Sequence, residues 1–297
     1  MVAGRDALGS VTKDVLRPTE EDGETSTLPK KRPNMPVESE RTVKSADRVL
    51  AIFEYLSSNT SATFVDVARD LNLPNSSAYE LLQTLTRRGY VETVPGTRHL
   101  RLGFRLWEIA QSYSSIEGIV ALARPLMDQL MHETKETVQL ARLDWLDNVY
   151  LANSESPHPM KLVSAVGARL PAHATGIGKA LLAGLDDHEL EQRLSGYEFQ
   201  KFTEHTLSDC ESLITEIQEV RRRGFAEDKE EYVIGCRCIG MPVRDREDRV
   251  VVAMSVTVPT PRFNSEVRQN ICTRLRAAVS ELQQALSGKP RVAGLFD

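Results

Sequence analysis

The sequence of 297 residues lacks an apolar run that approaches the roughly 20 residues needed to cross a bilayer, and no secretory signal is visible. Four cysteines in a chain of this size do not describe a disulfide framework. The six histidines have no metal-ligand spacing, and no nucleophile–base motif is identifiable. These absences predict a cytoplasmic protein with no membrane segment, no metal, no cofactor and no catalytic residues.

The length of the chain is typical of about two domains, and composition sets apart a further segment at each end. Residues 1–42 are rich in Pro, Glu, Thr and Lys and contain few large apolar residues. Such a segment cannot bury enough surface to offset its chain entropy, so we predict that it is disordered. Residues 289–297 are predicted to form a tail.

Residues 63–88 have the pattern of two short helices joined by a tight turn. In the first helix, Val65, Ala68 and Leu71 recur at spacings of three and are expected to face the core. A proline in the connector ends this helix, because the residue before a proline is pushed out of the α region. Asn75 is then expected to cap the second helix through its side-chain oxygen.

The second helix has one apolar and one polar face. Its apolar stripe consists of Ala78, Leu81, Leu82 and Leu85. The polar face suits insertion into a DNA major groove, and a strand–turn–strand pattern at residues 89–102 adds a wing. The candidate DNA-binding residues are Ser76, Ser77, Tyr79, Glu80, Gln83 and Arg87 on the helix, with Arg98 and Arg101 on the wing. A preceding helix from Ser45 would complete a three-helix core.

Two amphipathic helices with a short turn are also a common packing unit that has no contact with DNA. The wing and the preceding helix favour DNA binding, and so does the distribution of charge. Residues 43–105 carry eight basic and six acidic side chains, whereas residues 106–297 carry 22 basic and 28 acidic ones. Because the positive excess is slight, affinity is expected to depend on pairing two modules in a dimer.

Two helical runs follow the wing and are predicted to connect the DNA module, residues 43–103, to a second domain at residues 119–288. The first run, a linker helix assigned to residues 104–118, has an apolar face that consists of Leu106, Ile109, Ala110 and Tyr113. The apolar face of the second run consists of Ile119, Leu122, Ala123, Leu126 and Leu130. These faces fit either a partner subunit or burial within one chain.

The second domain mixes strands and helices in the order expected of an α+β sheet domain. Strands are predicted at residues 138–142, 149–153, 160–166, 239–244 and 250–258. Helices are predicted at residues 174–185, 210–223 and 264–287. The last helix begins at the good cap Asn264 and ends before Gly288, its expected C′ residue.

Two features of this domain indicate a small-molecule pocket. The segment Thr175-Gly176-Ile177-Gly178 opens a helix, where free N–H groups favour an anion such as a carboxylate and glycines allow its close approach. Ser255 and Thr257 share one strand face, opposite Met254 and Val256, and suggest polar contacts to a ligand. The plain alternatives are an ordinary helix cap, and hydroxyls that bond to neighbouring backbone or face solvent.

Four segments of the second domain carry a resemblance to a known family. They are residues 169–183 (RLPAHATGIGKALLA), 223–231 (RGFAEDKEE), 235–243 (GCRCIGMPV) and 252–257 (VAMSVT). With the helix-turn-helix, the chain from residue 43 to residue 286 resembles the IclR family of bacterial transcriptional regulators. The resemblance implies an α+β chain with an N-terminal winged helix-turn-helix, a helical linker and a C-terminal GAF-like α/β effector domain. It also implies a homodimer or dimer of dimers on double-stranded operator DNA, and a small-molecule effector.

By this resemblance, Asp228 and Cys238 match positions that line the effector site, although most of the acidic run at residues 227–231 is expected to be a solvated loop. Two departures from the family pattern matter. Glu80 stands where a basic residue is common, and we expect a different operator because a carboxylate accepts from cytosine but is repelled by phosphate. Met241 replaces a smaller residue and is expected to reshape the effector site.

The favoured function is a ligand-responsive transcriptional regulator of a catabolic operon that senses a small organic acid or a related metabolite, and that is not an enzyme. Two alternatives stay open. An enzyme built from Cys238 and His173 would turn over its ligand, although no sequence feature positions this pair. A small-molecule-binding protein whose winged helix docks a protein partner would have low, sequence-independent affinity for DNA.

Overall fold

The computed structural model describes residues 43–110 and 114–288. The predicted disordered extension at residues 1–42, the tail at residues 289–297 and Tyr113 lie outside the described residues. In the part of the chain that is described, no helix combines the length and the apolar character that crossing a membrane requires.

The N-terminal unit is a winged helix-turn-helix. Its elements are α1 (Lys44–Ser58), β1 (Ala62–Thr63), α2 (Phe64–Asp70), α3 (Asn75–Arg87), β2 (Val91–Thr93) and β3 (His99–Leu102). The strands form an antiparallel sheet in the order β1-β3-β2. The predicted helices and the wing hairpin are confirmed. Strand β1 was not predicted, because a strand of two residues leaves no alternating pattern in the sequence.

The core of this unit confirms the stripe predicted for α3 and corrects the one predicted for α2. Ala78, Leu82 and Leu85 are buried. In α2, however, Val65 is 65% exposed, whereas Val67 and Ala68 are buried. The prediction for Val65 was wrong because a second stripe of the same segment, with Phe64 and Leu71 at its two ends, has the better i, i+3, i+4, i+7 spacing.

The two helices of the motif begin in different ways. The hydroxyl of Thr63 accepts a hydrogen bond from the Asp66 N–H, and the Asp66 carboxylate accepts one from the Thr63 N–H, which makes a capping box at α2. Asn75 is the first residue of α3 rather than its cap. The predicted capping role was wrong because Pro74 occupies the N-cap position, where no side chain bonds to the helix.

The two helices after the wing differ in burial. In α5 (Ser114–Thr134), Ala123, Leu126 and Leu130 are buried against the sheet of the same chain. Of the two possibilities that the sequence left open for this apolar face, a partner subunit or burial within one chain, these three residues fit the second. In α4 (Phe104–Ala110), no residue is buried. Phe104 and Trp107 are 62% and 55% exposed, and their rings stack at 4.9 Å between centroids.

The second domain is a six-stranded antiparallel sheet with helices on both faces. Its strands are β4 (Thr137–Asp144), β5 (Asp147–Ser154), β6 (Arg169–Pro171), β7 (Ala226–Lys229), β8 (Cys236–Arg244) and β9 (Val250–Pro259). Its further helices are α6 (Gly176–Leu182), α7 (Asp187–Leu194), α8 (Cys210–Arg223) and α9 (Ser265–Leu286). The strand order is β6-β5-β4-β9-β8-β7. As predicted, Asn264 caps α9 and Gly288 follows it with φ of 65°.

Two predicted elements of this domain were wrong. Residues 160–166 form no strand but a loop between β5 and β6, and Met160 and Val166 are exposed there. The alternation of apolar residues in this segment finds no neighbouring strand to pair with. The acidic run that begins at Glu227 is not mainly a solvated loop, since Glu227 and Asp228 belong to β7 and are buried.

The two faces of the sheet bury different helices. Met254 and Val256 of β9 pack with α5 and α9, whereas Ala253 packs with α6, α7 and α8. Ser255 and Thr257 therefore face α6, as the period of two predicted. Met241 of β8 belongs to the face of α5 and α9. The expectation that it reshapes the effector site was wrong, because odd-numbered residues of β8 point away from α6.

Helix α6 lies unusually close to the sheet. A Cβ atom added at Gly240 of β8 would lie 2.6 Å from the carbonyl oxygen of Gly176 and 2.9 Å from the Cα atom of Ile177. Real Cβ atoms do not approach backbone this closely, so only glycine allows α6 to reach β8 here. All seven residues of α6 are buried.

Gly240→Ala is expected to destabilise the second domain by about 1–3 kcal/mol, because the added methyl group overpacks the contact between α6 and β8. The matched control is Gly118→Ala on α5, where an added Cβ meets no atom within 4 Å and removal of a helical glycine stabilises by about 0.5–1 kcal/mol. Calorimetric unfolding of both full-length variants measures this. Equal shifts of the two variants would show that the close packing is not limiting.

Candidate functional site

The polar face of α3 is presented to solvent. Of its candidate residues Tyr79, Glu80, Gln83 and Arg87 are exposed, as is Ser76, whereas Ser77 is half-buried. The Tyr79 ring meets Phe64 of α2 edge to face at 6.4 Å between centroids, which restricts its orientation. The buried stripe holds α3 so that this face projects from the unit, which is the geometry that a major groove accommodates.

The two candidate arginines of the wing have different environments. Arg98 is exposed and follows the turn at Gly96, which has φ of 76°. Arg101 on β3 is not free, because its guanidinium is 2.7 Å from a carboxylate oxygen of Glu92 on β2. Both arginines stay predicted phosphate contacts, and Arg101 would have to leave Glu92 or bind it and a phosphate together.

The sheet face that α6 covers, here called the concave face, carries two rows of mostly polar residues. Strand pairing sets Thr137, Thr257, Cys238 and Asp228 opposite one another across β4, β9, β8 and β7. The next row consists of Asn153, Gln139, Ser255 and Gly240 on β5, β4, β9 and β8. The register thus brings together Asp228, Cys238, Ser255 and Thr257, four residues that the sequence placed far apart.

The concave face curves around the start of α6. The Thr175 hydroxyl donates to the Asn148 side-chain oxygen on β5 at 2.8 Å, while a Cβ on Gly176 would lie 2.9 Å from the Cys238 carbonyl oxygen on β8. In a flat sheet β5 and β8 would be about 14 Å apart, whereas consecutive Cα atoms are about 3.8 Å apart. Two consecutive residues, Thr175 and Gly176, therefore contact strands that lie on opposite sides of β4 and β9 in the sheet.

The start of α6 is capped by its own side chain. Thr175 accepts a hydrogen bond from the Gly178 N–H at 3.1 Å, which is the ordinary cap that the sequence left as an alternative. Gly176 packs against the backbone of β8 and Gly178 against Ala172, so both glycines allow close packing within the chain. Ile177 is buried among the apolar residues beneath α6.

Asp228 is a buried carboxyl at the β7 end of the concave face. Burial raises its pKa to about 7, against the opposing effect of a hydrogen bond that its Oδ1 accepts from the Glu231 N–H at 2.7 Å. The nearby Glu231 carboxylate raises the pKa further. A proton on Asp228 would convert an acceptor into a donor within the pH range of a cell.

A buried ion pair holds α6 to the turn after β7. Lys179 is 1% exposed, and its ammonium group lies 2.6 and 2.7 Å from the two carboxylate oxygens of Glu231. A second carboxylate, that of Glu216 on α8, lies 3.8 Å away. Because the Lys179 ammonium group is already bound to Glu231, it is not the cation that would hold an anionic ligand.

The residues of the enzyme alternative do not form a nucleophile–base pair. Burial raises the pKa of the Cys238 thiol to about 11, so the thiol is a poor nucleophile. His173 bonds through Nε2 to the Gln200 carbonyl and through Nδ1 to the Tyr197 hydroxyl, each at 3.1 Å. Among residues 43–110 and 114–288, no group of three or more His, Cys, Asp or Glu side chains could hold a metal ion.

The sequence analysis missed residues of β4 and β5. Gln139 accepts a hydrogen bond from the Thr257 hydroxyl at 3.0 Å, and Thr137 lies opposite Thr257. The alternation of Thr137 and Gln139 with apolar neighbours was a usable signal. Asn148 and Asn153 had no such signal, because the pairing of β4 and β5 shifts register after Leu140.

Comparison with known proteins gives a consistent result. Residues 45–95 match the IclR helix-turn-helix domain, and residues 111–284 match the family described as bacterial transcriptional regulator IclR C-terminal. The chain is 33% identical to the HTH-type transcriptional regulator XynR of Escherichia coli (strain K12) over 245 residues, which cover 82% of this chain and 97% of XynR.

Solved structures agree. An IclR homolog from Microbacterium hydrocarbonoxydans, complexed with 4-hydroxybenzoate, is 26% identical with a TM-score of 0.72, and covers 82% of this chain and 97% of that chain. The C-terminal domain of the E. coli transcriptional regulator KdgR is 35% identical with a TM-score of 0.53, and covers 57% of this chain and 98% of that chain. The similarity therefore extends over both units of the fold.

Asp228→Asn is expected to change how stability depends on pH. An Asp whose pKa is raised from 3.8 to about 7 favours the folded state below its usual pKa, and this stability is lost as pH rises to about 7. Between pH 3.8 and about pH 7, the free energy of unfolding of the native protein should fall by up to about 1.4 kcal/mol per pH unit relative to that of Asp228→Asn. Denaturant unfolding across this range measures the difference. Asp248→Asn at an exposed turn is the control, and parallel curves for all three proteins would refute the assignment.

Proposed function

The chain belongs to the IclR family of bacterial transcriptional regulators, and from this premise we propose that it regulates a catabolic operon in response to a small organic acid. Regulators of this family bind operator DNA and small-molecule effectors. The observation that carries the effector part is the concave face, where two rows of polar residues meet beneath a buried helix.

DNA contact is assigned to α3 and the wing. Ser76, Ser77, Tyr79, Glu80, Gln83 and Arg87 would enter the major groove, while Arg98 and Arg101 would meet phosphates from the wing. Arg98 is the stronger candidate of the two, because Arg101 is paired with Glu92. Glu80 on the groove face would select against a site with phosphate or acceptor groups at its position.

The effector would lie on the concave face, beside the start of α6 and along the polar rows of β4, β9 and β8. The residues assigned to it are Thr175, Gly176, Ile177, Asp228, Cys238, Ser255 and Thr257. The complex of a related IclR homolog with 4-hydroxybenzoate, a carboxylic acid, supports an organic acid here. The buried thiol of Cys238 and the engaged ring of His173 support sensing rather than turnover, in a cytoplasmic protein.

A second copy of this chain is the proposed partner of α4. This helix exposes Phe104, Trp107 and Ile109, and a stacked aromatic pair on a short exposed helix is typical of an interface. Pairing would also double the small positive charge of the DNA module. An effector would then change operator affinity by favouring one of two placements of the paired modules, which requires unequal affinity for the two placements.

Selection of bound sequences from a random double-stranded DNA pool tests the proposed function. The full-length protein at physiological salt should enrich a palindromic motif, because a symmetric dimer reads two half-sites. The selection is repeated with a panel of small organic acids, one of which should change the affinity for the motif. No enrichment under any of these conditions, by a protein shown to be folded, would refute the regulator function.

Arg87→Ala and Gln83→Ala are each expected to weaken binding to the selected motif about tenfold, because each removes a groove contact at an exposed position of α3. The control is Arg222→Ala, which removes an exposed arginine from α8. Gel-shift titration measures affinity, and unfolding of the effector domain checks that it is intact. Native affinity in both α3 variants would show that α3 is not the reading helix.

Trp107→Glu is expected to weaken self-association at least tenfold, since a charge would be buried in the proposed α4 interface. The control is Val65→Glu, which places the same charge at an exposed apolar position of α2. Sedimentation velocity over a range of concentrations gives the dissociation constants. If Trp107→Glu associates as tightly as the control, α4 does not hold the subunits together.

A further inference from the structure

A cavity of about 280 Å³, here called the edge cavity, lies at the margin of the second domain and contains none of the residues of the two polar rows. The pairing of β7 with β8 ends at Gly240, whereas β8 continues to Arg244 with β9 as its partner in the described part of the chain. The edge cavity lies beside this last part of β8, between the end of α8 and helix α9. Val220 of α8, Met241 of β8 and Val279 of α9 form its apolar wall.

Three arginines from three different elements line the edge cavity, and none of its lining residues is acidic. They are Arg221 of α8, Arg244 of β8 and Arg276 of α9. This concentration of positive charge stands out, because residues 106–297 carry 28 acidic and only 22 basic side chains. Like charges around one cavity repel each other, and an apolar wall screens them less than water does. The arrangement therefore favours a bound anion.

The first two guanidinium groups differ in what they already bind. Arg221 is occupied, since it donates to two carbonyl oxygens just after α6 and to the Asp187 carboxylate. Arg244 donates to the Asp248 carbonyl oxygen at 2.6 Å, and the Asp248 carboxylate lies 3.5 Å away. The side chain of Asp248 is 86% exposed, so this ion pair is weak and leaves N–H groups of Arg244 for another acceptor.

Arg276 is the cation that is left for a ligand. It has no ion pair and no hydrogen bond with any residue that the structure describes. A Cβ atom built on Gly224, at the end of α8, would lie 3.4 Å from the Nη1 atom of Arg276. The side chain therefore extends from α9 toward α8 and brings its guanidinium group to the margin of the edge cavity.

Gln283 of α9 adds a neutral donor to the same cavity. Its side-chain oxygen accepts a hydrogen bond from the backbone N–H of Arg244 at 2.9 Å. This bond sets the orientation of the amide, because a nitrogen in that position would not accept, and it leaves the amide nitrogen for another partner. An amide nitrogen and guanidinium groups only donate. A molecule that suits them all must be rich in acceptors.

The open edge of β8 is poorly suited to an added peptide strand. Pro242 has no backbone N–H, and the N–H of Arg244 already bonds to Gln283. Strand addition depends on main-chain hydrogen bonds, so the loss of these two donors blunts the edge. A small molecule fits the edge cavity better than an extended peptide does.

A phosphate group matches these donors better than a carboxylate does. Its three terminal oxygens point in three directions, whereas the two oxygens of a carboxylate lie in one plane. The donors here come from β8 and α9, with Arg221 of α8 beside them, and they surround the cavity rather than share a plane. A phosphomonoester also carries a charge of about −1.5 to −2 at neutral pH, which offsets more than one arginine.

We propose that the edge cavity binds a phosphomonoester with an apolar organic group. Arg276 makes the principal contact with the phosphate, and Arg244 and the Gln283 amide nitrogen supply further donors. The organic group lies on the apolar wall that includes Val220 and Met241. Because the edge cavity shares no residue with the polar rows of the concave face, both sites of one subunit can be filled together. Phosphate binding here is independent of operator binding.

Phenyl phosphate, inorganic phosphate and benzoate probe the edge cavity of the full-length protein. In isothermal titration at constant ionic strength, phenyl phosphate should bind about tenfold or more tighter than inorganic phosphate, because its ring buries apolar surface. Benzoate keeps the ring but replaces the phosphate with a carboxylate. No binding of phenyl phosphate at millimolar concentration overturns the proposal. Binding of inorganic phosphate or of benzoate that equals that of phenyl phosphate and is lost in Arg276→Gln also overturns it.

Arg276→Gln shows where phenyl phosphate binds. The variant removes a cation that has no partner in the described chain, so it should unfold at the native temperature while binding phenyl phosphate about tenfold more weakly. The matched control is Arg222→Gln on α8, which removes an exposed arginine outside the cavity and should leave the affinity unchanged. Equal affinities of the two variants would place phenyl phosphate elsewhere, such as on the DNA-binding surface, and overturn the proposal.

Ser280→Glu tests the same site by adding a charge. Ser280 is exposed on α9 and lines the edge cavity, so a carboxylate there should repel the phosphate and weaken binding about tenfold without unfolding the domain. Gln284→Glu is the matched control, because it places the same charge on the exposed surface of α9 outside the edge cavity. Native affinity for phenyl phosphate in Ser280→Glu would refute binding in this cavity.

Discussion

The approach of α6 to β8 is the constraint on which the effector domain depends. Gly176 and Gly240 meet backbone to backbone, and this contact draws the start of α6 across the sheet to both β5 and β8. The helix thereby covers part of a polar sheet face. The ion pair between Lys179 and Glu231 then fixes the same helix to the turn after β7. Packing and electrostatics thus hold one short helix over the site.

The two units of the chain divide recognition between them. The winged helix presents a polar helix face held by an apolar core, and the effector domain presents polar rows held by two apolar layers. The exposed aromatic pair Phe104 and Trp107 lies on the helix between them in sequence. In the proposed function, a change in the effector domain affects DNA binding by biasing how two paired modules are held.

Local periodicity predicted most of the fold and part of the site. The stripe of α3 and the alternation that sets Ser255 and Thr257 toward α6 follow from one segment each. The errors concern non-local information. Val65 was predicted to be buried, but a stripe of other residues in the same helix has the better spacing and faces the core. Met241 could be assigned to one face of the sheet only after the pairing of β8 with its neighbours was known. Asn153 joined the polar row through a register shift between β4 and β5, which no pattern within β5 reveals.

The pair between Arg101 and Glu92 on the wing also has a consequence for the thermodynamics of association. An arginine that neutralises a phosphate displaces condensed counterions, and each such contact adds about 0.9 to the slope of log affinity against log salt concentration on duplex DNA. An arginine already neutralised by its own chain displaces fewer. Arg101 would therefore contribute less to counterion release than Arg98, and the ionic-strength dependence of binding would arise mainly from Arg98 and the residues of α3.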